Sequence, residues 1–161
     1  MVSLKPMTAA EFAATQSQMW RDYQDSWIAA GDSPVQAEAK AEAARRAIIP
    51  DGTLPAGHHA LHAVVEGRVI GHAWLAERFP GSWYIYEVDI RAPYREQGLG
   101  RAVAAAVERF AISRGAVRIE CNVFAANAAA TALLGSEGYR QATAIMAKSL
   151  GDGDGGTSLL R

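Results

Sequence analysis

The spacing of apolar and polar positions divides the chain into helical and extended segments. Val2–Met7 reads as a short first strand. Thr8-x-x-Glu11 has the form of a capping box, in which each residue satisfies the other's backbone N–H. A helix therefore opens there and runs to about Gly31. Ser33-Pro34 restarts a helix, with Ser as N-cap and Pro in the first helical position. Ser33-x-x-Gln36 repeats the box, and the Ala-rich stretch Ala37–Ala47 stops near Pro50-Asp51-Gly52. The period then changes. His59–Val65 reads as a strand, Glu66-Gly67 as a tight turn, and Arg68–Glu77 as the returning strand. Phe79-Pro80-Gly81-Ser82 is a second turn, and the aromatic, β-branched run Trp83–Ile90 is a third strand. Leu99, Val103, Ala106, Val107 and Phe110 fall on one helix face. That helix ends at Ser113-Arg114-Gly115, with Gly as the C-terminal cap. Val117–Val123 is a buried-type strand, Asn127–Glu137 a short helix ending at Gly138, and Tyr139–Ser149 a last strand.

The predicted order is β-α-α-β-β-β-α-β-α-β. Three strands joined by short turns are antiparallel, while strand–helix–strand units usually run parallel. The expected fold is therefore α+β, with one mixed, mostly antiparallel sheet and helices on its faces. Residues 1–150 form one domain. The Gly- and Asp-rich tail 151–161 has little to bury and is expected to be mobile. It lacks the spaced ligands and closing Glu of a calcium loop.

Composition narrows the classes of function. The 161 residues carry 16 Lys and Arg against 17 Asp and Glu, a net charge of -1. Nucleic-acid binders usually show a basic excess, so that class is disfavoured. The single cysteine, Cys121, rules out an internal disulfide framework. No signal-peptide core follows Met1, and no apolar run approaches the roughly 20 residues of a membrane span. The expectation is a cytoplasmic protein with no membrane partner.

The segment that carries chemistry is Arg95-Glu96-Gln97-Gly98-Leu99-Gly100-Arg101, after a strand and at a helix start. Helix N-termini gather free N–H groups and positive dipole, which suits an anion. Gly98 and Gly100 let a phosphate approach the backbone, and Arg95 and Arg101 bracket the site with positive charge. Three phosphate-loop patterns compete with an ordinary Gly-containing helix start. The dinucleotide fingerprint needs a third glycine where Val103 stands, and places its glycines directly after the strand. Here seven residues separate Ile90 from Gly98. The P-loop needs Gly-Lys-Ser/Thr, which the chain lacks. Arg/Gln-x-x-Gly-x-Gly/Ala, a coenzyme A pyrophosphate loop, is matched by Arg95-x-x-Gly98-x-Gly100.

The wider stretch Tyr84–Gly100 closely resembles the central signature of the GCN5-related N-acetyltransferase (GNAT) superfamily. A second block, Asn127-x-x-Ala130-x-x-Leu133-Leu134-x-x-x-Gly138-Tyr139, resembles that family's late motif. The resemblance implies a central strand with a bulge, splayed from its neighbour to admit the pantetheine arm of acetyl-coenzyme A. By the same resemblance, Val88 and Ile90 offer backbone groups to the pantetheine and thioester. Gln97, Gly98, Gly100 and Arg101 would hold the pyrophosphate, with Arg95 beside them. Asn127 would lie near the pantetheine or thioester. The implied reaction is acetyl transfer to an amine in a ternary complex, the acceptor being a small molecule or a protein N-terminus. A homodimer is compatible with such families. The runner-up is a non-catalytic acyl-coenzyme A binding or sensing protein of the same fold. Many family members carry a tyrosine, acting as general acid, where this chain has Leu134.

An amine with a pKa of about 10.4 is mostly protonated at neutral pH, so a base must take a proton. Glu87, just before the expected bulge, is the candidate; the bland alternative is a solvated or salt-bridged strand residue. Simple alternation sends Tyr84 and Tyr86 to one face and Glu87 and Asp89 to the other, unless a bulge shifts the count. Trp20, Tyr23 and Trp27 share a helix face, either as core or as the lining of an acceptor pocket, with core preferred. His58, His59 and His62 lack the adjacent Glu of a zinc helix motif and read as surface or pocket-edge histidines. Cys121 reads as a small buried hydrophobe.

Overall fold

A computed structural model describes residues 1–151. Five strands, β1 (Ser3–Pro6), β2 (His58–Val65), β3 (Arg68–Phe79), β4 (Ser82–Ile90) and β5 (Arg118–Cys121), form one sheet in the order β1-β2-β3-β4-β5. The first three pairings are antiparallel, and β4 pairs with β5 in parallel. Helices α1 (Ala9–Ala29) and α2 (Pro34–Ile48) follow β1. A 3-10 turn at Ala92–Tyr94 and α3 (Leu99–Ile112) follow β4, and α4 (Ala128–Ser136) follows β5. The expected mixed, mostly antiparallel sheet is the one observed.

Local signals account for most of these elements. Both capping boxes form. Thr8 N–H donates to Glu11 Oε2 at 2.7 Å and Glu11 N–H to Thr8 Oγ1 at 3.2 Å. Ser33 and Gln36 repeat the exchange at 2.9 and 3.3 Å. Glu66 (φ 49°) and Gly67 (φ 78°) make a two-residue hairpin turn with positive φ at both positions, which matches the right-handed twist of the strands.

Apolar groups cover both faces of the sheet. On one face Leu61, Leu75 and Ile85 pack with Val103, Ala106 and Val107 of α3. On the other Ala60 and Trp74 pack with Phe12 of α1 and with Ile49, directly after α2. Phe12 meets Trp74 edge-on, with ring centroids 5.4 Å apart. Fully burying side chains of this size stabilises the fold by roughly 1.5–3 kcal/mol each.

The order holds through α4, but the predicted last strand over Tyr139–Ser149 does not form. Among the described residues β5 has a ladder only with β4. The segment beyond Tyr139 is exposed, with Ile145 and Met146 at 76% and 91%. It holds Ala142, Ala144 and Ala147, which are weak strand formers. The tail expectation for 151–161 lies outside the described residues except for Gly151.

Candidate active site

The site is organised by two irregularities of β4. The first is a bulge. Trp74 lies opposite Glu87 and Leu75 opposite Ile85, so Tyr86 is an extra residue in β4. A bulge of this kind resets the alternation of side chains. Tyr84, Tyr86, Glu87 and Asp89 therefore all lie on the α1 side of the sheet. The contacts agree: Tyr86 stacks on Trp74 at 4.7 Å, Tyr84 meets Tyr86 at 5.0 Å, and Glu87 Oε1 lies 3.6 Å from His72 Nε2. The split of tyrosines from acids expected from simple alternation is thus corrected.

The second irregularity is a splay. The β4–β5 ladder runs only from Ser82↔Arg118 to Ile85↔Cys121. Beyond Ile85 the β5 edge of β4 has no strand partner among the described residues, so backbone groups from Tyr86 to Ile90 line a gap. After Cys121 the chain turns toward α1, where Phe124 meets Tyr23 and Trp27 at 5.8 and 5.1 Å. Val88, 42% exposed, stands in this gap. Ile90 packs against the α3-side core, and Arg95 Nε donates to its carbonyl at 2.6 Å.

The loop after β4 ends in a helix start unlike the others. Thr8, Ser33 and Asn127 each cap their helix with a side-chain oxygen. Gly98, at the N-cap of α3, supplies none. Glu96 (φ 60°) and Gly98 (φ 72°) are both left-handed. Such turns gather successive N–H groups into an anion-binding concavity. Nothing lies within 4 Å of where a Gly98 Cβ would project, so the space above the helix start is open.

The side chains predicted to help are placed differently from expectation. Arg95 folds back onto β4 and donates to Asp89 Oδ1 at 3.0 Å. Arg101 Nε pairs with Glu137 at 2.6 Å, and its NH2 group donates to Ser136 Oγ at 3.0 Å. Gln97 Nε2 donates to the Pro93 carbonyl at 2.8 Å. Both arginines are therefore paired with carboxylates while staying largely exposed. Gly100 has a packing role that its sequence reading did not include. A Cβ there would stand 3.2 Å from Leu133 Cδ2, so this glycine serves the approach of α4 to α3. Asn127 Oδ1 caps α4 by accepting from Ala130 N–H at 3.1 Å.

The α1 side of the gap is aromatic and polar. Trp20 joins the core around Trp74, while Tyr23 and Trp27 reach the loop after β5. Trp20 thus takes the core role, and Tyr23 and Trp27 pack against Phe124. The histidines are less exposed than the sequence reading had them. His58 Nδ1 accepts from Trp74 Nε1 at 3.1 Å, and His59 stacks on Trp83 at 5.6 Å. Burial lowers the pKa of both. Burial raises the Tyr84 phenol and the half-buried Cys121 thiol, keeping both protonated near neutrality. Burial, helped by the neighbouring Glu108 carboxylate, also pushes Tyr139 far above its ordinary value. His72 was missed by the sequence reading because its importance comes from strand register.

A five-stranded mixed sheet with a bulged, splayed β4 and an uncapped start to α3 frames the candidate site. The sequence model of the "Acetyltransferase (GNAT) family" matches residues 16–139. An uncharacterized N-acetyltransferase of Bacillus subtilis (strain 168), YycN, is 26% identical over 155 residues, spanning 92% of this chain and all but 1% of the relative. The crystal structure described as the putative acetyltransferase YycN superposes with a TM-score of 0.85 at 25% identity, covering 94% of this chain and 100% of that one. The ribosomal-protein-S18-alanine N-acetyltransferase of Escherichia coli shares the fold, with a TM-score of 0.58 at 21% identity over 89% of this chain and 80% of that one. The chain belongs to the acetyltransferase (GNAT) family.

Proposed function

We propose that residues 1–150 form one N-acetyltransferase domain that moves the acetyl group of acetyl-coenzyme A to an amine by direct attack in a ternary complex. The observation that carries this reading is the pairing of the splay beyond Ile85 with the uncapped, left-handed start of α3. The gap suits an extended pantetheine arm against Val88 and Ile90. The N–H groups at Gly98–Arg101 suit a pyrophosphate, which is stabilised by the helix dipole. Because Arg95, Gln97 and Arg101 are held by other groups, the backbone supplies most of this recognition. Asn127 closes the far side of the gap at the start of α4.

Glu87 is the base in this reading. The bulge turns it into the aromatic face, half-buried, with His72 beside it. There it takes a proton from the acceptor ammonium, since only the neutral amine attacks the thioester. Backbone N–H groups of β4 near Ile90 stabilise the oxyanion. The coenzyme thiolate, with a thiol pKa of about 8.5, leaves readily. Leu134 cannot protonate it, and water fills that role. The amine lies on the α1 side, among Tyr23, Trp27, Tyr84 and Tyr86. A family neighbour named for a ribosomal-protein alanine supports a protein N-terminus as one acceptor class, beside small amines.

Thiol release from acetyl-coenzyme A, followed over a panel of amino sugars, polyamines and alanine-initiated peptides, tests the reading. Turnover by the wild type and a 10²–10⁴-fold lower kcat in Glu87→Gln, roughly the range for losing a general base, are expected. Tight cofactor binding with no thiol release from any amine would support the acyl-coenzyme A sensor that Leu134 alone favours.

A further inference from the structure

Glu87 stands at one end of a row of titratable side chains that crosses three strands and reaches α1. His72 on β3 is 3.6 Å from it. His62 on β2 is the direct cross-strand neighbour of His72 and shares its face of the sheet. Side chains so placed have Cβ atoms about 4.5–5.5 Å apart. His62 Nε2 lies 3.2 Å from Glu11 Oε1 at the start of α1. Side-chain exposure is 17% at Glu87, 18% at His72 and 15% at His62, then 49% at Glu11, so the row meets water at its far end. His72 Nε2 and His62 Nδ1 are buried with no hydrogen-bond partner among the described residues, while His62 Nε2 faces Glu11. Buried polar nitrogens are nearly always paired because leaving them unpaired is costly. Two of them on neighbouring rings of one row call for an explanation beyond packing.

We propose that His72 and His62 relay the proton taken up by Glu87 to Glu11 and so to solvent. This rests on Glu87 acting as the base. The acceptor N–H bond breaks as an O–H bond forms at Glu87. That O–H breaks as His72 is protonated at Nε2, once the pair closes from 3.6 Å to hydrogen-bond distance. The imidazole pair passes a proton on, one nitrogen gaining as the other releases, and Glu11 delivers it to water. One proton leaves per acetyl group transferred, no electrons change hands, both carboxylates are regenerated, and each imidazole resets its tautomer before the next turnover.

The surrounding charges fit this direction. Asp89 lies opposite His72 on β4, itself held by Arg95, and Glu87 is diagonal to it. Lys5 on β1 lies opposite His62 and opposes a resident positive charge there, while Glu11 favours its arrival. The Thr8 backbone N–H, then the Thr8 hydroxyl and His62, hold the Glu11 carboxyl below its ordinary value. It is ionised, with Oε2 taken by Thr8 and Oε1 facing His62. His58, the other histidine on this face of β2, is occupied by the Trp74 N–H.

The chain has only four histidines, so imidazole signals can be followed one by one by NMR on the intact protein without any acceptor. At neutral pH, Glu87→Gln should move the ring signals of His72, Glu11→Gln those of His62, and His72→Gln those of His62. In turnover, His72→Gln should lower kcat about tenfold, leave KM for acetyl-coenzyme A unchanged, and be partly rescued by free imidazole. Ring signals of His62 and His72 that ignore each other and both carboxylates would overturn the relay. Full kcat in His72→Gln beside an inactive Glu87→Gln would remove the relay alone. Full kcat in Glu87→Gln would remove the base reading as well.

Discussion

The two ends of the gap are built from different material. At the α3 end the groups proposed to recognise the cofactor are backbone N–H groups shaped by Glu96 and Gly98, while the nearby arginines are tied to Asp89 and Glu137. At the α1 end the groups are side chains, Glu87, His72, Tyr84 and Tyr86, brought to one face by a single extra residue in β4. The difference teaches what each end tolerates. A backbone site is damaged by changes in φ, charge or helix approach. A side-chain site is damaged by the loss of a few atoms.

The largest effect separating the two ends is expected from Gly98→Glu. Left-handed backbone costs a non-glycine residue roughly 1–2 kcal/mol, and a carboxylate would face the anion it should attract. Acetyl-coenzyme A affinity should fall at least ~100-fold by calorimetry, with the fold retained, because the position faces open space. Gly98→Ala carries the strain without the charge and should lose far less. Arg101→Ala should weaken binding by about tenfold at most, close to 1.4 kcal/mol, since Arg101 is already paired with Glu137. A loss approaching that of Gly98→Glu would mean that side-chain charge, rather than backbone, holds the cofactor.

Gly100→Ala sharpens the comparison further. Its Cβ would press on Leu133 from 3.2 Å, a contact that a leucine terminus relieves by a small shift. A destabilisation of about 1 kcal/mol or less, or a Tm lower by about 2–4 °C, is expected. Affinity should change by less than about threefold. A binding loss without a Tm change would restore this glycine to the pyrophosphate.

The smallest effect concerns pH and the packing of the α1 side. Burial lowers the pKa of His58 and His59, so the folded state binds fewer protons there than the unfolded chain. Their contribution is present above the ordinary histidine value of about 6.5 and is lost as pH falls through the folded values. Tm should therefore decline by a few degrees between about pH 6.5 and pH 5. Protonating His58 Nδ1 would also remove the acceptor of the Trp74 N–H. His58→Gln, which keeps an acceptor but does not titrate, should flatten part of that decline.

The legibility of the two ends in sequence follows the same division. Capping boxes at Thr8 and Ser33 act within four residues, so their spacing is visible in the chain. The glycine spacing of Arg95–Arg101 is equally local, and it marked the helix start that the structure leaves uncapped. What involved register was hidden. No local pattern shows that Tyr86 is the extra residue, that His72 faces Glu87, or that Gly100 meets Leu133 from α4. The inward fold of Arg95 depends on Asp89, six residues earlier, and on the Ile90 carbonyl at the end of β4. The missing last strand was a failure of a different kind. A plausible strand composition was read where no described strand lies beside β5 to pair with it.

The central claim is that a pyrophosphate rests on the backbone at the start of α3. Calorimetry with acetyl-coenzyme A and with acetyl-pantetheine, which lacks the pyrophosphate and nucleotide, tests it on wild type and Gly98→Glu. The account predicts that the wild type prefers acetyl-coenzyme A by at least ~100-fold, and that Gly98→Glu binds both equally weakly. An undiminished preference in Gly98→Glu would contradict it.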